Sequence, residues 1–450
     1  MTATPSSPST TTDTSPRKIG RRERNAILQS LGAGVVPGMG LQHVQVGRRD
    51  EVAALVDDLK TIEQGGAAIR FIIGRFGSGK TFFLQLVRTV ALERGFVTLG
   101  ADITTDRRLH GSGGQARSLY SELLRNLATR AKPDGAALRN LVERWVGQID
   151  HRVRGEGGDA SAVKQAIDDA LAPLQDYVSG YDFVRVIQAY YAAYHADQPE
   201  TQEAALRWLR GEFATKTEAR QALGVRSIID DASVYDYLKL MAGFVRLAGY
   251  AGLLVNIDEL VVLSHRLSHT NARNANYEAI LRIVNDCLQG RAEGIGFVFA
   301  GTDECLEDQR RGLFSYEALA TRLAPNRFAK DGLRNTASPV IRLDNLSAED
   351  CFVLLSNLRN VQASYDPAKH LIDDAGIERY LQHCFERMGA EAFLTPRDTV
   401  RDFVNLLNTV EQNPSYAWDD LVDSLANQSD SPAAASGPAA PDDGLAEFRL

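Results

Sequence analysis

Residues 74–81 read Gly74-Arg75-Phe76-Gly77-Ser78-Gly79-Lys80-Thr81, a G-x-x-x-x-G-K-T run whose chemistry dictates its surroundings. The glycines let backbone N–H groups face phosphate oxygens, and the helix that follows contributes the partial positive charge of its N-terminus. Lysine pairs with the β and γ oxygens, and the threonine hydroxyl is a ligand for Mg²⁺. Such a loop needs an apolar strand before it and a helix after it. AAIRFIIG supplies the first, and TFFLQLVRTVALERG, helical in period up to Gly95, supplies the second. By chance the pattern arises on the order of 0.01 to 0.02 times in a chain this long, before context is counted. The run is therefore read as an ATP site with Mg²⁺ and not as an idle glycine turn.

A second metal anchor is expected at the tip of a neighbouring strand, and Leu253-Leu254-Val255-Asn256-Ile257-Asp258-Glu259 has that form. Asp258 would complete the Mg²⁺ shell and Glu259 would polarise the attacking water. Asn256 interrupts the apolar run on the strand face of Asp258. The next strand, 295–300, ends in Gly301-Thr302-Asp303-Glu304; Thr302 is the candidate γ-phosphate sensor, with a plain helix N-cap as its alternative. Within EALATRLAPNRFAKDGLRN, Arg322 or Arg327 is a candidate finger for a neighbouring subunit's ATP, because a planar guanidinium stabilises transferring phosphate charge. A solvated basic helix end is the competing reading. Arg397, opening the helix RDTVRDFVNLLNTV, is a candidate sensor folding back onto the nucleotide.

Further strand candidates are FVTLGADI and PVIRLDNL, and helical patterns separate all five strand segments. That alternation predicts an α/β fold with a parallel P-loop sheet. The expected organisation is a disordered N-terminal tail with a basic arm (1–30), an ATPase core in two pieces (31–114 and 250–346), a helical insertion forming its own lobe (115–249), a C-terminal helical lid (347–427) and a low-complexity acidic tail (428–450). Hydrophobic residues make up 44% of the 450 and charged ones 24%, which excludes collagen-like, coiled-coil and wholly disordered chains. The net charge is −8, so nucleic-acid contact would need local patches, not a general basic field. No apolar stretch is long enough to span a membrane, the Ser/Thr/Pro-rich start lacks a secretory pattern, and Cys287, Cys305, Cys351 and Cys384 form no C-x-x-C pair. A reducing cytoplasm is the expected location.

Smaller features divide between functional and plain readings. The basic arm Arg17-Lys18-Ile19-Gly20-Arg21-Arg22-Glu23-Arg24 is either a DNA-phosphate contact or a solvated segment. His265 and His269 share helical spacing but lack the acid of a metalloprotease motif. Arg107-Arg108-Leu109-His110-Gly111-Ser112-Gly113-Gly114 is glycine-rich without opening from a P-loop position, and reads as a turn or pore-side loop before a second nucleotide site.

Together, the P-loop, the distant Asp-Glu strand, the polar-tipped strand, the arginine-bearing helix and the helical lid resemble an AAA+ ATPase of the origin-recognition-like and STAND-related branch. More specifically, GVVPGMGLQHVQVGRRDE (34–51), IRFIIGRFGSGKTFFLQLVR (69–88), RRLHGSGGQARSLYSELLRNLATR (107–130), YDYLKLMAGFVRLAGYAGLLVNIDEL (235–260), NYEAILRIVNDCLQG (276–290) and FSYEALATRLAPNRFA (314–329) are similar to the BrxD-type ATP-binding proteins of bacteriophage-exclusion (BREX) and related defence islands. The resemblance spans roughly residues 30 to 425. It implies an ATP-hydrolysing protein of a bacterial anti-phage system, working beside a helicase or other DNA-acting subunits; the candidate finger arginine adds the expectation of a homo-oligomer, and double-stranded DNA is a candidate partner. A nucleotide-dependent binding switch with little turnover is the alternative. Two departures stand out: the long helical stretch between Lys80 and Asp258, and the acidic Pro/Ala-rich tail where relatives of the wider branch carry a winged helix.

Overall fold

The computed structural model describes residues 18–325, 337–388 and 395–427. They belong to two compact units, Met1–Val46 with Leu346–Leu450, and Gly47–Asn345.

The larger unit is built on five strands, β1 (Ala67–Ile73), β2 (Val97–Asp102), β3 (Leu253–Asp258), β4 (Ile295–Gly301) and β5 (Val340–Arg342), in the order β2-β3-β4-β1-β5. All pairs are parallel, so every connection must cross the sheet and helices must cover both faces. Burial on both sides explains why β1, β3 and β4 read as mainly apolar runs, interrupted by Arg70 in β1 and Asn256 in β3. The two-residue side-chain period sorts them. Ile72, Leu254 and Val298 meet Leu55, Leu59 and Ile62 of the helix Arg49–Glu63 and Phe83 and Val87 of the helix Lys80–Glu93. Phe71, Val255 and Phe297 face the other way.

That second face is covered by the inserted helices. Leu119, Trp145, Phe183, Trp208 and Phe244 belong to one hydrophobic cluster with the sheet residues Leu99, Val255 and Phe299. The insertion is therefore not the separate lobe expected from its length: it is the cover of one sheet face, because a parallel sheet left bare there would expose its apolar side chains.

In the smaller unit, the helices Ala348–Gln362, Asp374–Met388, Pro396–Gln412 and Trp418–Asn427 are joined by the helix Arg21–Gly32. The expectation of a disordered tail through residue 30 is corrected here. Ile27 and Leu28 are buried, and the helix packs on Ala348–Gln362 and Pro396–Gln412. Arg24 of the basic arm donates from Nε to the Gln362 carbonyl at 2.6 Å and pairs with Glu411 at 3.3 Å, so at least this arginine serves the fold. Arg17 and the acidic tail lie outside the described residues.

Candidate nucleotide site

The glycine-rich loop leaves the tip of β1 and enters the helix Lys80–Glu93. Gly77 and Gly79 hold φ of 80° and 92°, a region that L side chains avoid. Gly74 is required for a different reason: a Cβ there would stand 2.6 Å from Ser78 Oγ and 2.9 Å from the Leu343 carbonyl. Lys80 Nζ donates to the carbonyls of Gly74 (2.9 Å) and Arg75 (2.8 Å), bending across the loop. Its pKa is lowered by burial, which Asp258, Glu259 and Asp303 partly offset. Phe76 projects from the loop, 73% exposed.

β3 delivers Asp258 to the same point. Thr81 Oγ1 donates to Asp258 Oδ2 at 3.0 Å, while Asp258 Oδ1 accepts from the Glu259 N–H at 2.7 Å. The strand that carries these acids is not the immediate neighbour of the P-loop strand, as the sequence led one to expect. β4 lies between them, and its tip carries Thr302. Glu259 turns the chain out of β3 with φ 63°, an uncommon conformation for a residue other than glycine, and the residue is exposed. Burial, then Asp258 and Asp102, push the Glu259 carboxyl up from its usual range. The segment that follows, Val262–Arg266, winds as a π-helical turn, a form often found near functional sites.

A hydroxyl and a carboxylate meeting beside a P-loop lysine form a hard-oxygen donor pair suited to Mg²⁺, which is commonly held by few protein ligands together with phosphates. Among the described residues no group of three or more His, Cys, Asp or Glu side chains forms a metal cage.

The remaining candidates divide. Thr302 Oγ1 accepts from the Cys305 N–H at 3.3 Å and caps the short helix Asp303–Glu307, which is the plain alternative for this residue. Arg322 donates from Nε to Asn285 Oδ1 at 2.7 Å and from Nη1 to the Ala318 carbonyl at 2.8 Å, so its guanidinium is engaged within its own chain. Arg327 lies outside the described residues. Arg397 begins the helix Pro396–Gln412 in the smaller unit, against Gly34. His265 approaches Ser264 Oγ at 2.7 Å and Asp308 at 3.6 Å.

One residue at the site escaped the sequence reading, and a second was read only as part of a longer run. Asp102, at the end of β2, pairs in register with Asp258, and its pKa is raised by burial and by that neighbour. The acid at the end of FVTLGADI was the available signal. Arg48, in the left-handed conformation at the start of the helix Arg49–Glu63, reaches the carbonyls of Ser78 (3.5 Å) and Asp344, tying the approach segment to the P-loop. The run GRRDE is singled out by the sequence, but nothing in it distinguishes Arg48 from Arg49.

A family model described as "BREX system ATP-binding protein BrxC/D" matches residues 19–426, and the chain belongs to that family. No match is found among curated proteins. No helix among the described residues is long and apolar enough to cross a membrane.

Proposed function

We propose that this member of the BREX ATP-binding family hydrolyses ATP with Mg²⁺, and that turnover is coupled to DNA engagement or to a helicase partner of the defence system. The contact between Thr81 and Asp258 carries the reading, because it brings a hydroxyl and a carboxylate of two distant segments together at the residue after Lys80. In this reading the loop amides and Lys80 hold the β and γ phosphates, and Thr81 and Asp258 hold Mg²⁺, which neutralises phosphate charge when bound. Glu259, its basicity raised by burial and by Asp258 and Asp102, orients and deprotonates the attacking water. Thr302 senses the γ-phosphate from the tip of β4, and Arg397 serves as the lid sensor. A homo-oligomer would let an arginine of one copy, Arg322 or Arg327, complete the site of the next.

The engagement of Arg322 with Asn285 favours a second reading, a binding switch that holds ATP with little turnover and reports its nucleotide state to a partner. Steady-state phosphate release separates the two. Glu259→Gln should retain ATP and lose hydrolysis by at least 100-fold if the first reading holds; turnover equal to that of the unaltered protein in this variant sinks it, and absence of turnover in both proteins, alone or with double-stranded DNA, leaves the switch.

A further inference from the structure

The glycine-rich segment 107–114 is closed to phosphate by the chain itself. Asp231 takes the anion's place at the start of the helix Gln115–Arg125, accepting from the Gly114 N–H at 2.7 Å and the Arg117 N–H at 2.9 Å. The backbone carboxylate seat is thus filled, yet the same segment leaves Arg108 unused.

Beside Arg108 opens a cleft of about 580 Å³, a volume typical of small-molecule sites. No residue of the P-loop lines it. Its floor is Ile257 of β3 and Phe297 of β4, on the sheet face opposite the helix Lys80–Glu93. One wall is the helix Thr270–Leu288, where Ala275 and Ala279 leave space, and Leu238 stands on another. From Ala275 to Asp286 that wall runs about 16 Å at the rise of an α-helix.

Most of the charged lining is already neutralised. Asp231 is held as described, Asp286 lies 3.7 Å from both Lys239 and Arg291, and Arg282 donates to Asp236 at 2.8 Å while covering the Tyr235 ring at 5.0 Å. Glu278 is exposed at the rim. Arg108 is different: no carboxylate among the described residues lies within ion-pair distance of it, and its Nε is buried with no hydrogen-bond partner. A buried guanidinium donor left unpaired forfeits its hydration without return, and a planar guanidinium is the side chain best shaped to receive a carboxylate, sulfonate or phosphate.

We infer that this cleft is a second ligand site, separate from the nucleotide loop, that takes a small organic anion. The anionic group meets Arg108, and an apolar or aromatic body lies over Ile257 and Phe297 in the space left by Ala275 and Ala279. The site stands whether or not the chain hydrolyses ATP.

The probe is 8-anilinonaphthalene-1-sulfonate, an aromatic sulfonate whose fluorescence rises on binding, titrated against the full chain with saturating ATP and Mg²⁺. One saturable site is expected. Its affinity should fall at least tenfold in Arg108→Ala and in Ala279→Phe, which fills the cleft, and should be unchanged in Lys80→Ala. Melting curves verify folding, and Arg108→Ala decides the matter if Ala279→Phe does not fold, because Arg108 supports no ion pair whose loss would unsettle the structure. Absence of a saturable site, affinity untouched by Arg108→Ala, or a tenfold loss in Lys80→Ala overturns the inference.

Discussion

Thr81 donates its hydroxyl proton to Asp258 across 3.0 Å, although 177 positions separate the two in the chain. The bond joins the first turn of the P-loop helix to the tip of a strand two places away in the sheet. It holds a hydroxyl and a carboxylate side by side, a hard-oxygen pair of the kind that Mg²⁺ takes as ligands. Thr81→Ala and Asp258→Asn should therefore weaken ATP affinity at least tenfold in the presence of Mg²⁺ and make the remaining binding insensitive to EDTA. A fluorescent ATP analogue titrated with and without the chelator measures this; Mg²⁺-dependent binding that survives both substitutions contradicts the assignment.

Gly74→Ala tests close approach separately from backbone conformation. The added methyl must displace both Ser78 Oγ and the Leu343 carbonyl, so the loop shifts at its first glycine. Overpacking of this kind costs about 1–3 kcal/mol. A fall in melting temperature should accompany loss of ATP binding, whereas Gly20→Ala, where no atom lies within 4 Å, should change neither.

The acids at the strand tips give stability a definite pH dependence. Glu259 and Asp102 both have carboxyl pKa values raised in the folded chain, first by burial and then by Asp258. Their charged forms are thus penalised only when folded, so the penalty is absent below the ordinary carboxylate range, grows as pH rises through it, and is complete above the folded values. Without nucleotide or metal, Glu259→Gln should melt above the unaltered protein at pH 7 to 8, with the gain vanishing toward pH 4. The gain will be small, since both residues face solvent. A constant difference across that range would remove the electrostatic explanation.

Within β1, Arg70 is buried and grips Asp58 of the helix Arg49–Glu63 through Nε (2.5 Å) and Nη2 (2.7 Å). Removing only the acid leaves the guanidinium with its Nη1 bond to the Ser338 carbonyl (2.5 Å) but without its carboxylate, so Asp58→Ala should cost about 1–3 kcal/mol in denaturant unfolding. Replacing both partners, as Asp58→Leu with Arg70→Met, should recover most of that loss. If the double variant is as unstable as the single one, the pair is not the source.

Asp231→Ala removes the acceptor from Gly114 and Arg117 at the start of the helix Gln115–Arg125. Loss of a cap of this kind costs about 0.5–2 kcal/mol. Urea unfolding supplies the number, and hydrogen exchange should show faster opening at residues 114–118 than in the strands.

The sequence alone was sufficient for whatever depends on local periodicity and on residue types at fixed spacing. The five strands, the loop 74–81, the Asp258–Glu259 tip and the polar end of β4 all follow from apolar runs, glycines and the chemistry of phosphate, since each is decided within some ten residues. Only the tertiary structure decided which distant segments meet. The order β2-β3-β4-β1-β5 places β4 between the P-loop and its acid partner and sets Asp102 beside Asp258, because strand order is fixed by crossovers that no single segment encodes. It also turned a long insertion into the cover of one sheet face, drew the helix Arg21–Gly32 into the smaller unit through Ile27 and Leu28, tied Arg322 to Asn285, and left Arg108 alone beside a cleft. Burial and pairing of this kind depend on what the rest of the chain brings alongside, and that information is spread over hundreds of residues.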